Sequence, residues 1–120
     1  MVYVLKVDGK GVLNMRTVEQ LIAENICRTE MTYEEEVVFV NYWYDKYEEE
    51  GFCKTFLSPY MQYKKYNGQS FEVLKRVPIG IDGNDNLGFD LECLPVWNIR
   101  FADGFETFAY PEEICLAERK

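Results

Sequence analysis

Four cysteines, at 27, 53, 93 and 115, and a complete lack of histidine frame the chemistry open to this 120-residue chain. Without histidine the commonest general base is missing, and so is the usual partner of a nucleophilic serine or cysteine. The cysteines are widely spaced, form no Cys-x-x-Cys pair and lie among apolar or aromatic neighbours. Buried free thiols are expected, not a zinc site, whose ligands usually come in close pairs. Asp82, Asn84 and Asn86 match the first, third and fifth positions of a calcium loop. Leu87 and Cys93 then occupy the positions where that loop needs its glycine and its bidentate glutamate. A solvated loop is expected there, with no metal. Asp103 with Glu106, and Glu112 with Glu113, are carboxylate pairs of the kind used in acid–base work. Asp103-Gly104 is already explained as a turn and Glu112-Glu113 as a capped turn after Pro111. No Gly-rich phosphate loop occurs. These absences point away from an enzyme, and no catalytic residue, cofactor or metal ligand is assigned.

Tyrosine is the residue type that stands out, with seven of nine lying between Tyr33 and Tyr66. Tyrosines of this kind either line an internal junction or anchor a partner. The elements decide between these roles. Thr32 opens a capping box with Glu35, and Glu34, Glu35 and Glu36 suit the first turn of a helix. Tyr33, Val37, Val40, Tyr44 and Tyr47 then follow at spacings of three and four, widened by Phe39 and Trp43, and Gly51 stands where a C-cap belongs. The spacing predicts a helix over 33–50; the competing reading is a strand at 37–44, because Val, Phe, Trp and Tyr prefer strands. On the helix, Tyr33, Tyr44 and Tyr47 face the interior. Val38 and Tyr42 project onto the acidic face beside Glu48 and Glu49. These four are the candidate partner-binding residues, since an exposed tyrosine amid carboxylates suits a basic partner.

Around that helix, residues 2–7 read as a strand ending at Asp8-Gly9, and 11–15 as a short second strand. Thr17 and Gln20 form a capping box before Val18, Leu21, Ile22 and Ile26. Ser58-Pro59 reads as the start of a two-turn helix. From Gln69 the pattern turns to strands, at 70–77, 94–101 and 105–110, with a tight turn at 102–104. Pro111–Ile114 reads as a 3₁₀ turn and 115–117 as a closing strand.

Composition sets further bounds. Nearly half of the residues are apolar, enough for one core, and the length suits one domain: a mainly helical part at 1–68 and a β part at 69–120. The net charge is −8, from 21 acidic and 13 basic residues, and both halves are acidic. A field of that sign repels phosphate backbones, so no direct nucleic-acid binding is expected. No apolar run approaches a membrane span. Met1–Lys6 has no basic leader or cleavage site, so no signal peptide is expected and the expected compartment is the cytoplasm.

Val96-Trp97-Asn98-Ile99-Arg100-Phe101-Ala102-Asp103-Gly104, followed by Phe108-Ala109-Tyr110-Pro111-Glu112-Glu113-Ile114, resembles the final hairpin of small SH3-like barrels of the Tudor and KOW kind. Tyr66–Leu74 looks like the first strand of the same module. The resemblance covers roughly residues 66–118 and implies an α+β fold: N-terminal strands and two or three helices packed on a C-terminal SH3-like antiparallel β-barrel. The whole chain also looks like small accessory proteins of bacterial mobile elements and phages. SH3-like barrels bind peptides, modified side chains or nucleic acids, so the fold leaves function open. Trp97, Phe101, Phe105, Phe108 and Tyr110 are expected to fill the barrel, not to form an aromatic cage. Two readings result. One is a non-enzymatic protein–protein interaction module that docks a protein partner, basic in character, or a second copy of itself. The alternative is an acidic nucleic-acid mimic that inhibits a host nuclease or defence system.

Overall fold

A computed structural model describes residues 4–7, 12–79 and 89–119. The expected turn at Asp8-Gly9 and the loop at 82–86 lie outside the described residues. The N-terminal hairpin pairs β1 (Val4–Val7) antiparallel with β2 (Val12–Asn14). Helix α1 (Val18–Ala23) begins at the expected capping box: the Thr17 hydroxyl accepts the Gln20 N–H, and the Gln20 side chain accepts the Thr17 N–H.

Helix α2 spans Tyr33–Glu50, so the helical reading holds over the strand reading at 37–44. The physical reason lies at its ends. Thr32 Oγ1 accepts the Glu35 N–H and Glu35 Oε1 accepts the Thr32 N–H, satisfying two otherwise orphaned donors. At the other end Gly51 takes φ +97°, a left-handed backbone that L side chains rarely adopt. Val40 and Tyr44 are fully buried, while Tyr33 is exposed and Tyr47 half-buried.

The C-terminal part holds an open three-stranded antiparallel sheet in the order β3 (Phe71–Arg76), β4 (Trp97–Phe101), β5 (Glu106–Ala109). Gly104, at φ +91°, makes the tight β4–β5 turn. Helix α3 (Pro111–Ile114) follows β5 as an α-helical turn in place of the expected 3₁₀ turn. Three further expectations change. The strand expected at 115–117 contracts to one bridge, Phe52 with Cys115, and 116–119 turns into a 3₁₀ helix. The helix expected at Ser58-Pro59 begins later, as a 3₁₀ helix over Met61–Tyr66. Ser58 instead donates its N–H to Asn67 Oδ1 and accepts the Tyr60 N–H, closing a local turn that competes with helix initiation. The strand expected at 94–101 starts at Trp97, because 91–93 forms a 3₁₀ turn and a cis Leu94–Pro95 bond follows. Among the described strands the sheet does not close on itself.

The core lies between α2 and the sheet. Trp97, Ile99, Val96, Tyr44, Phe56 and Ile114 are its largest fully enclosed apolar side chains alongside Leu94. Tyr44 bridges helix to sheet: its hydroxyl lies 2.9 Å from the carbonyls of both Val77 and Val96 and accepts the Val96 N–H. Arg28 ties the start of α2 to the turn before β4, donating to the carbonyls of Leu91 and Leu94 and pairing with Glu36. Among the described residues no helix is long and apolar enough to cross a membrane.

Candidate functional site

The segment 52–57 passes between two elements and is bonded to both. Cys53 N–H donates to the Ile114 carbonyl and Leu57 N–H to that of Glu113, on the α3 side. Phe56 N–H donates to Gln69, and Gly68 N–H returns to Phe56, on the other side. Beyond it the 60–66 turn brings Tyr60 and Tyr63 over β5. Phe56 and Phe101 hold Tyr63 and Tyr66 from beneath through edge and stacked ring contacts. Thr107 on β5 donates its hydroxyl to Tyr63 Oη at 3.1 Å. Phe89 packs edge-on against Phe108 and Tyr110, at 5.2 and 6.3 Å between ring centroids.

These rings enclose a surface recess of about 290 Å³, lined by Tyr60, Tyr63, Phe89, Phe108 and Tyr110, with Glu113 contributing to its wall. Glu113 is the unusual group. It is 1% exposed, and as the third residue of α3 its Oε1 accepts the N–H of the N-cap Tyr110 at 2.8 Å. Its Oε2 is buried and has no well-formed hydrogen bond among the described residues. Burial pushes the carboxyl's pKa up; the nearby Ser58 hydroxyl and the Tyr110 N–H offset this only in part. A recess with several aromatic faces and one buried carboxyl can hold an organic cation or a flat apolar group.

Glu113→Gln keeps the oxygen that accepts the Tyr110 N–H and removes the buried charge. It is expected to raise stability by about 1 kcal/mol at neutral pH. The folded protein holds the Glu113 proton more tightly than the unfolded chain does. Its stabilising contribution is therefore full below the ordinary value of 4.5 and is lost as pH rises through the raised folded value. The variant's advantage should therefore be absent in acid and open above about pH 4.5. Urea denaturation across that range checks it, and a variant less stable than wild type at neutral pH would contradict it.

The four candidate residues on α2 separate into two groups. Val38, Tyr42 and Glu49 share one stripe by the helical period, with Val38 and Tyr42 half-buried and Glu49 exposed. The Tyr42 ring meets Trp43 edge-on at 5.3 Å. Glu48 turns to the sheet, where it accepts from Arg76 Nε and Nη2 at 2.7 Å and from Trp97 Nε1 at 3.0 Å. The Arg76 guanidinium holds the Glu48 carboxyl below the ordinary carboxylate range. None of the four lines the aromatic recess.

Among the five aromatic residues expected inside a barrel, Trp97 and Phe101 are buried, Phe105 is exposed, and Phe108 and Tyr110 reach the recess. Of the cysteines, 53 and 115 are buried, 27 is exposed and 93 is half-buried, all free. Burial pushes the Cys115 thiol up to about 12, which leaves it un-ionised at neutral pH. Among the described residues no three His, Cys, Asp or Glu side chains converge as a metal site would require. The sequence presents Glu112 and Glu113 as a carboxylate pair explained by a capped turn after Pro111; nothing in the neighbouring residues signals that the second oxygen of Glu113 lacks a partner. Compared with family models, with curated proteins and with solved structures, the chain gives no match.

Proposed function

We propose that the protein is a non-enzymatic interaction module of SH3-like architecture that docks a protein partner in the aromatic recess beside α3. The observation that carries this reading is the recess itself: five aromatic side chains converge on a concave surface, four of them, Tyr63, Phe89, Phe108 and Tyr110, partly buried against the core. Tyrosine-rich pockets of this kind serve as anchor sites, because rigid amphipathic rings give large contact area at low entropic cost. The order of elements supports the architecture. Within residues 66–118, β3, the β4–β5 hairpin, a helical turn and the Cys115 bridge follow one another in the order the resemblance implies. In line with the resemblance of the whole chain, the proposed setting is the cytoplasm of a bacterium carrying a mobile element or phage.

The nucleic-acid mimic draws less support. Such a protein needs rows of free carboxylates, yet of the cluster at 34–36 Glu35 is buried against Arg16 and Glu36 is paired with Arg28. Asp45 and Glu48 share Arg76, and Glu72 and Glu106 share Arg100.

Selection from a displayed random-peptide library tests the proposal. Enriched peptides are expected to bind about fivefold or more weakly to Tyr60→Ala, whose ring is 47% exposed and contributes little to the core. Tyr42→Ala should leave their affinity unchanged. Peptides sensitive to Tyr42→Ala and indifferent to Tyr60→Ala would move the docking surface to α2, and a library with no enrichment would overturn the proposal.

A further inference from the structure

The protein contains two buried glutamates in the same local role. Glu35 and Glu113 are both third residues of a helix, both accept the N–H of the capping residue, and both are at most 3% exposed. Glu35 has a cation: Arg16 donates from Nε and Nη2 to its two oxygens at 2.8 Å. Among the described residues Glu113 has none. The guanidinium nearest along the chain, Arg119, donates to the backbone carbonyls of Thr55 and Glu113, and among the described residues no lysine or arginine lines the recess. Burying a charged carboxyl without a counter-ion is costly, so such a group either holds its proton or takes up a cation supplied from outside.

We infer that the recess binds the N–H-bearing cation of a basic side chain presented by a protein partner, with Glu113 Oε2 as its acceptor. This rests on the recess being the docking site. Two observations choose this chemistry. Glu113 Oε2 is buried and without a hydrogen bond, while Oε1 is held by the Tyr110 N–H, so the ligand must bring an N–H donor, which a quaternary ammonium lacks. The aromatic side chains of Tyr60, Tyr63 and Phe108 line the same recess and suit the stem and the charge of a basic side chain. The chain's net charge of −8 favours approach of a basic segment.

The test is a titration of ¹⁵N-labelled protein with the blocked amino acid Nα-acetyl-lysine N-methylamide, followed by amide shifts. Shifts are expected at Tyr60, Tyr63, Thr107, Tyr110 and Glu113. The matching norleucine and trimethyl-lysine compounds should each bind about tenfold or more weakly. Glu113→Gln, which preserves the cap, should show the same loss for the lysine compound while its spectrum stays dispersed. Norleucine or trimethyl-lysine binding as tightly as lysine, or Glu113→Gln binding lysine within about twofold of wild type, would overturn the inference. If library peptides still require Tyr60 but not Glu113, docking at the recess stands and the cation assignment falls. If no probe or peptide shifts the recess amides, both fall.

Discussion

Trp97→Ala is expected to destabilise the protein by about 4 kcal/mol, the largest effect of any single truncation in the core. Trp97 is fully buried, and three rings meet it edge-on: Tyr44 at 5.1 Å, Phe52 at 5.4 Å and Tyr47 at 6.0 Å. Two of these come from α2 and one from the segment after it, so a cavity here separates the helix from the sheet. The indole N–H also donates to Glu48, which loses one of its partners. Trp97→Phe keeps most of the ring contacts and should cost about 2 kcal/mol, mainly through the unmade hydrogen bond and the smaller ring. Urea unfolding followed by far-ultraviolet circular dichroism measures both. A loss below about 1 kcal/mol for the alanine variant would mean that α2 does not pack on β4 as described.

The second large effect concerns the ion pair that fixes the start of α2. Arg16→Met is expected to destabilise the protein at neutral pH, because removing one partner of an ion pair leaves the other charge uncompensated. The Glu35 side chain is 4% exposed, but that of Arg16 is 36% exposed, so solvent screens part of the pair and the loss falls short of that for a fully buried one. The Arg16 backbone N–H and the Thr32 N–H both donate to Glu35 and survive the substitution, which moderates the loss further.

The pH dependence gives this prediction its signature. Hydrogen bonding to Arg16 is the chief cause that holds Glu35 at about 2, below its ordinary 4.5. A depressed folded-state value means the stabilisation is present above 4.5 and is lost as pH falls toward 2. The difference between wild type and Arg16→Met should therefore shrink across that acid range and be constant above it. A difference that stays the same in acid would show that the arginine acts through its packing alone.

The two buried glutamates also mark how far local sequence reaches. Thr32-x-x-Glu35 and Thr17-x-x-Gln20 are complete within four residues, and both caps form as their spacing predicts. Helix α2 has the bounds its three-and-four spacing assigns, and the Asp103-Gly104 turn joins β4 to β5 where the turn chemistry puts it. Such features depend on hydrogen bonds and steric limits between near neighbours, which a short window of residues contains. Glu48 was less legible. Its place among acidic residues suggested an open face, yet it lies one turn from Tyr44 and so follows that residue to the sheet, where Arg76 and Trp97 meet it.

By itself, then, the sequence determined an α+β chain with a capped central helix, an antiparallel C-terminal hairpin and an acidic character without histidine. Tertiary structure alone decided which carboxyls find a cation. Arg16 reaches Glu35 across 19 positions, and Arg76 reaches Glu48 across 28, while no Lys or Arg side chain of the described residues is hydrogen-bonded to Glu113 Oε2. It also decided that Tyr60, Phe89 and Phe108, from three separate elements, would meet around that carboxyl. Pairings at such separations depend on how whole elements pack, and no spacing within a single element encodes them.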